Sequence, residues 1–199
     1  MKFLVLGGCG IQGRTVLHDL ASDNEVSEIV CADIRFDELS KIENFTDMSK
    51  IRTVTVDAQD SSALVNLYKK VDVVIDLLPR NFNQYVNEAA IETKVSVVNT
   101  NYDYERDLDE PAKKAGIVIM PECGLDPGID LITYGHAKTK FDELHVINSY
   151  CGGFPEKKAC TNPLNYKLSW IWKGVLSSTM REGRIIRDRK IIEIPAESR

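Results

Sequence analysis

The chain has 199 residues, 43% of them hydrophobic, and a formal net charge of -5 at pH 7, enough apolar material for one full core and part of a second. The acidic balance excludes nucleic acid and anionic membrane surfaces as main partners and favours a small-molecule substrate. Apolar runs fall short of the roughly 20 residues a bilayer span needs, and the N-terminus enters a strand pattern without a signal peptide, so a cytoplasmic protein with no membrane partner is expected.

The first strand is predicted at Phe3-Leu4-Val5-Leu6, running straight into Gly8-Cys9-Gly10-Ile11-Gln12-Gly13, with helical spacing of Ile11, Val16, Leu17 and Leu20 behind it. This is GxGxxG in a strand-turn-helix context, the pattern of a dinucleotide site. Gly8 is expected to permit the tight turn, Gly10 to admit a pyrophosphate where a Cβ would block it, and Gly13 to let the helix pack on the strand. The free N–H groups of the first helical turn, at Ile11 and Gln12, are expected to receive the phosphate charge.

A second strand over residues 29–33 ends on Asp33, 20 positions beyond Gly13, where an acidic residue accepts hydrogen bonds from the adenosine ribose hydroxyls and repels a 2′-phosphate. NAD is therefore favoured, and Arg35, two residues on, keeps NADP possible. The competing role for Asp33 is capping a helix over residues 36–42. Strands are next predicted over 51–56, 71–78, 95–98 and 116–120, and helices over 61–69, 83–93 and 106–115, the first of these capped by Asp60 or Ser61. The nearly unbroken apolar run over 71–78 reads as a buried parallel strand. This alternation implies a doubly wound parallel sheet, a Rossmann fold over residues 1–124.

Ligands of such sheets sit at the carboxyl ends of the strands. Leu78, Pro79 and Thr100, in the loops after the fourth and fifth strands, are thus expected on the nicotinamide side with the loop 121–124, and Asp57, after the third strand, near the adenine. After Gly124 the pattern changes, and residues 125–199 read as a partial α+β domain. A turn-rich segment, Gly124-Leu125-Asp126-Pro127-Gly128-Ile129-Asp130, opens a helix over 130–139, followed by a strand over 143–151, a break at 151–155 and a hairpin over 183–195.

Five cysteines without C-x-x-C spacing read as reduced thiols, with no disulfide framework and no metal site. Cys9, Cys31 and Cys160 are expected to be small or buried residues. His18, His136 and His145 lie in no motif. The basic cluster Arg181, Arg184, Arg187, Arg189 and Lys190 is expected to be the solvated surface of the hairpin.

Several segments together resemble the saccharopine dehydrogenase (glutamate-forming), or saccharopine reductase, family. They are the N-terminal fingerprint, Asp76-Leu77-Leu78-Pro79, Asn99-Thr100-Asn101-Tyr102, the Gly124 to Asp130 segment, Ser149-Tyr150-Cys151-Gly152-Gly153-Phe154-Pro155, and Asn162-Pro163-Leu164-Asn165-Tyr166-Lys167-Leu168-Ser169-Trp170. The related lysine 6-dehydrogenases share the outline. The resemblance implies a two-domain oxidoreductase in lysine metabolism that moves a hydride from a carbon next to a secondary-amine nitrogen to C4 of a nicotinamide, with hydrolysis of the imine to glutamate and an aminoadipate semialdehyde.

On that resemblance Asp126 is the acid/base group or amine ligand, with helix capping as its alternative. Tyr102 is a donor to a substrate carboxylate or an interdomain packing residue. Cys151 shapes the substrate pocket, and Tyr166, Trp170 and Trp172 form either an aromatic wall or packing. Family members are longer and their catalytic domain continues past the part matched here, so the arginine and asparagine that hold substrate carboxylates in the family have no counterpart in this sequence. Three readings follow: a dehydrogenase of this family completed by further polypeptide, a lysine 6-dehydrogenase-like enzyme, or a non-catalytic NAD-binding module. A half-domain exposes apolar edges, so a homo-oligomer is expected.

Overall fold

In the computed structural model, six short strands line up in parallel, and the inner ones, β1, β2 and β4, are apolar enough to be covered on both faces. The structure describes residues 1–102, 106–153, 155–163, 165, 167, 172–178 and 180–196. In chain order the sheet strands are β1 (Lys2–Leu6), β2 (Glu28–Asp33), β3 (Ile51–Thr55), β4 (Val73–Asp76), β5 (Ser96–Asn99) and β6 (Ile119–Met120). Between and after them come α1 (Ile11–Ser22), α2 (Ser61–Tyr68), α3 (Asn83–Thr93), α4 (Asp109–Ala115) and α5 (Ile129–Lys138). The strand order β3-β2-β1-β4-β5-β6, with every ladder parallel, is the doubly wound arrangement the alternation implies.

Register decides which side chains face which layer. Leu4 and Leu6 pair with Val30 and Ala32 on one side and with Val74 and Asp76 on the other, so these residues share one face. That face packs on Leu64 and Tyr68 of α2 and Val86 and Ala90 of α3. Val5, Ile29 and Cys31 point the other way, onto Leu17 and Ala21 of α1. Each fully buried aliphatic side chain contributes about 1.5–3 kcal/mol of transfer free energy. α2 starts where Asp60 accepts from Ala63 N at 3.0 Å, and α4 ends on Gly116, whose φ of 72° suits the left-handed stop.

Several predicted boundaries move. β4 covers only the middle of the 71–78 run, because Val71 N bonds to Tyr68 O at the end of α2 and Leu78 N turns back onto Asp76. Of residues 116–120, only Ile119 and Met120 join the ladder. The stretch 36–42 forms a 3-10 turn, Asp37–Lys41, behind Phe36. The largest change is the predicted strand over 143–151: residues 143–150 join no ladder among the described residues, and Leu144, Val146 and Ile147 stay exposed. Alternation supplies a face but not the neighbouring strand that must satisfy its N–H and C=O groups.

The first unit, Met1–Ile147, contains this sheet and both hydrophobic clusters. In the second, Asn148–Arg199, helix α6 (Trp172–Ser178) precedes a hairpin of β7 (Gly183–Arg187) and β8 (Lys190–Ile194). The hairpin is antiparallel, with Ile185 opposite Ile192 and Ile186 opposite Ile191. Its two loop residues, Asp188 and Arg189, both have positive φ, 51° and 62°, as the tight hairpin turn of matching twist requires. The basic cluster is exposed on and beside it, as the sequence implies, with Arg184 facing Glu193 at 3.6 Å. No helix among the described residues is long and apolar enough to cross a membrane.

Candidate dinucleotide and active site

The chain direction away from β1 reverses between β1 and β4, so the carboxyl ends of these neighbours flank a crevice. The turn after β1 is held by Gly7 N donating to Ala32 O at 2.9 Å and Gly10 N donating to Gly7 O at 3.1 Å. The left-handed residue of this turn is Gly7, φ 73°, rather than Gly8 as the motif alone suggests. Gly8 is small for another reason: a Cβ there would stand 2.6 Å from Sγ of Cys31. At Gly13 a Cβ would come within 2.3 Å of Gly7 O and 2.6 Å of the Gly8 backbone, which is the close helix-to-strand packing expected. At Gly10 it would meet only Gly7 O, at 3.2 Å, and the residue is otherwise exposed.

Behind that exposed backbone, α1 begins with no acidic residue in its first turn. No acceptor among the described residues takes the N–H of Ile11, Gln12 or Gly13. Unmet donors at the positive end of a 12-residue helix fit a pyrophosphate. These residues and the open cradle at Gly10 are the features a bound dinucleotide would need.

Asp33 does not cap the following turn. Its Oδ2 accepts from Cys9 N at 3.0 Å and its Oδ1 from Ile34 N at 2.7 Å, so the carboxylate ties the glycine loop to the tip of β2 while remaining partly exposed. Arg14, which motif reading passed over, does similar work: its guanidinium donates to Cys9 O at 2.7 Å and to Glu38 at 3.0 Å. Cys9 and Cys31 are buried with their Sγ atoms 3.8 Å apart, and burial pushes both thiols up. Cys160 is half-buried. Asp57 is exposed beyond β3, its Oδ1 accepting from Gln59 N at 2.9 Å.

On the opposite side of β1, three loops are laced together. Asp76 Oδ1 accepts from Leu78 N at 3.0 Å, and Leu78 O accepts from Asn101 Nδ2 at 3.1 Å. Cys123 N donates to Asn99 O at 2.8 Å and Glu122 N to Asn101 O at 3.1 Å, and Thr100 lies beside Gly124. Leu78 Cδ2 stands 3.3 Å from where a Cβ on Gly7 would be, which puts this assembly against the glycine turn. The sequence reading places Asp76 and Asn101 in segments that resemble the family but gives neither a role of its own. The legible signal is Asn99, the last residue of β5, whose Oδ1 accepts from Asn101 N at 2.9 Å and so turns the chain locally.

Asp126 is exposed in a turn closed by Gly124 N to Pro127 O and Ile129 N to Gly124 O, each 3.0 Å, with Pro127 in the cis form. The start of α5 is served by Asp130, whose Oδ1 accepts from Gly128 N at 2.7 Å, so the capping alternative for Asp126 is not what the fold uses. The Asp126 carboxylate has no hydrogen-bond or ionic partner among the described residues. Tyr102 is exposed just past β5. Cys151 is exposed and Trp172 partly so, both in the second unit, while Tyr166 and Trp170 lie outside the described residues. His18 contacts Thr46 Oγ1 at 3.1 Å and Phe45 edge-on, and His136 and His145 are exposed.

Residues 3–120 match the family model for the saccharopine dehydrogenase NADP binding domain, and residues 124–199 match the saccharopine dehydrogenase C-terminal domain. The saccharopine dehydrogenase [NADP(+), L-glutamate-forming] of Saccharomyces cerevisiae is 34% identical over 98% of this chain and 44% of its own length. The mitochondrial alpha-aminoadipic semialdehyde synthase of Mus musculus is 33% identical over 97% of this chain and 21% of its own. A solved structure of the apo yeast enzyme superposes with a TM-score of 0.78 at 33% identity, covering 98% of this chain and 44% of that one. The chain thus spans less than half the length of these relatives. It belongs to the saccharopine dehydrogenase family.

Proposed function

We propose that this chain supplies the dinucleotide site and the first part of the catalytic domain, beginning at residue 125, of an oxidoreductase acting on a CH–NH group of an amino-acid substrate. The substrate is saccharopine or a similar secondary amine of lysine metabolism. The observation that carries this is the lacing of the Asp126-bearing segment to the carboxyl end of β5, at the same end of the sheet as the glycine turn and the unmet N–H groups of α1. When bound, the nicotinamide accepts the hydride. Gly10, Ile11, Gln12 and Gly13 hold the pyrophosphate, and Leu78, Pro79 and Thr100 wall the nicotinamide side.

Asp126, lacking a partner of its own, is free to take a proton from the substrate nitrogen or to hold the protonated amine. Tyr102 donates to a substrate carboxylate. The cofactor is NAD, with NADP possible: Asp33 presents negative charge where a 2′-phosphate would sit, whereas the yeast relative's name specifies NADP. Homo-oligomerisation is part of the proposal, supported by the exposed Ile129, Leu131 and Ile132 of α5. A cytoplasmic setting is supported by five free cysteines.

The test follows reduced-nicotinamide formation with saccharopine and then lysine, using the 199-residue chain alone and the chain joined to the remaining C-terminal part of the yeast relative. Asp126→Ala is expected to lower turnover about a hundredfold while dinucleotide binding is kept; unchanged turnover removes Asp126 from the mechanism. Activity with lysine alone favours the lysine 6-dehydrogenase-like reading, and binding without oxidation of either amine leaves the NAD-binding module.

A further inference from the structure

Asp76 closes β4 at the register position between Leu6 of β1 and Asn99 of β5, with 0% of its surface exposed. One carboxyl oxygen accepts from Leu78 N, and the other, Oδ2, is buried with no hydrogen-bond partner. An acid is far costlier to bury than an aliphatic residue such as Val74, two positions earlier on the same face. What the acid supplies is the acceptor for Leu78 N. That bond fixes a loop whose next carbonyl is held by Asn101, which in turn bonds Asn83 Oδ1 at 2.9 Å and, through its own N–H, Asn99 Oδ1 at 2.9 Å. The same loop touches the glycine turn, since Leu77 O lies 3.2 Å from the Cβ position of Gly7.

We propose that Asp76 is a positioning residue of the dinucleotide site, holding the loop of Leu77, Leu78 and Pro79 against the glycine turn when it carries a proton and loosening it on ionisation. This inference rests on the dinucleotide reading above. A proton on Oδ2 replaces a buried charge by a neutral hydroxyl, which costs far less to keep from water. Ionisation strengthens the bond from Leu78 N but leaves a full charge in a layer with no donor for Oδ2, and moving the loop outward lets water reach that charge. The groups facing Asp76 offer no compensating charge. β1 presents Leu6 and β5 presents Asn99. α2 presents Tyr68, the titratable group that feels the Asp76 charge, and the buried side of α3 presents Asn83, Val86, Asn87, Ala89 and Ala90, with Tyr85 partly buried in the same core. Burial accordingly pushes the Asp76 carboxyl up to about 7, against the lowering effect of the Leu78 bond.

The experiment compares the full chain with Asp76→Asn, which keeps an acceptor for Leu78 N and cannot ionise, and with Asp76→Val, which removes that acceptor. Two readouts are taken between pH 6 and 8.5: amide exchange protection of residues 77–82 in the apo protein, and NADH and NADPH affinity by tryptophan fluorescence. The unmodified chain should lose protection and bind its preferred dinucleotide at least about fivefold more weakly at the higher pH, while Asp76→Asn stays flat in both. Asp76→Val should be weakened at every pH; should it fail to fold, the Asp76→Asn comparison still decides. Parallel pH profiles for the unmodified chain and Asp76→Asn overturn the proposal. An unmodified chain that binds neither dinucleotide overturns the reading of the site, and the exchange profiles then decide separately on the loop.

Discussion

β5 and the stretch 143–150 each carry a pair of adjacent β-branched residues between polar neighbours, Val97-Val98 and Val146-Ile147, yet only β5 is a strand. Its four residues pair with β4, and Val97 and Val98 pair with β6 as well, so Val97 is fully buried between two ladders. Val146 sits in an equally apolar pattern but is 71% exposed, with no ladder beside it. The contrast separates a region whose elements complete one another from regions that rest on local signals. The hairpin of β7 and β8 is the instructive middle case. It pairs because a two-residue turn brings its own partner strand back, and Ile186 and Ile191 remain exposed on it.

The first way to break this comparison is to make the completed region oppose itself. The folded first unit holds the Asp76 proton up to about pH 7, whereas the unfolded chain releases it near the ordinary value of 3.8. Between those values the folded state binds more protons, so stability falls as pH rises through the window and levels off above it. The total is on the order of 4 kcal/mol. Asp76→Asn should therefore melt close to the unmodified chain near pH 4 and clearly above it at pH 8, and equal melting temperatures at pH 8 would contradict the burial argument.

A smaller but sharper break is Gly13→Ala. The added methyl meets the backbone of Gly7 and Gly8 rather than a flexible side chain, and a loss of roughly 3 kcal/mol in denaturant unfolding is expected, together with loss of dinucleotide binding. Wild-type stability in this variant would mean that α1 does not pack on the turn as described. Within the same unit, NADH should bind at least about tenfold more tightly than NADPH, a difference of about 1.4 kcal/mol. Equal or reversed affinity in a fluorescence titration would leave Asp33 only its bonds to Cys9 and Ile34.

The smallest effect belongs to the locally determined region. Arg189 holds a left-handed φ of 62°, so Arg189→Gly should stabilise the hairpin by about 0.5–1 kcal/mol, read as slower amide exchange in β7 and β8. No change in the melting of the sheet unit is expected. A rise in the sheet unit's own melting temperature would show that the two regions are energetically coupled.

Much of this protein is written in short-range chemistry. The glycine turn, the six parallel strands, the Asp60 cap and the hairpin follow from apolar runs, turn formers and helical spacing, each of which acts within a few residues of itself. Gly13 is legible for the same reason, since one glycine repeats its position wherever a helix packs on such a turn. The remaining features depend on what the chain brings near from afar. Gly8 is small because Cys31 arrives from β2, and Asp33 turns toward Cys9 N instead of standing free. Asp130, not Asp126, serves the start of α5, and Asp76 acquires its burial from α2 and α3. Residues 143–150 fail to become a strand because pairing is a property of two segments, and one segment cannot encode its partner's presence.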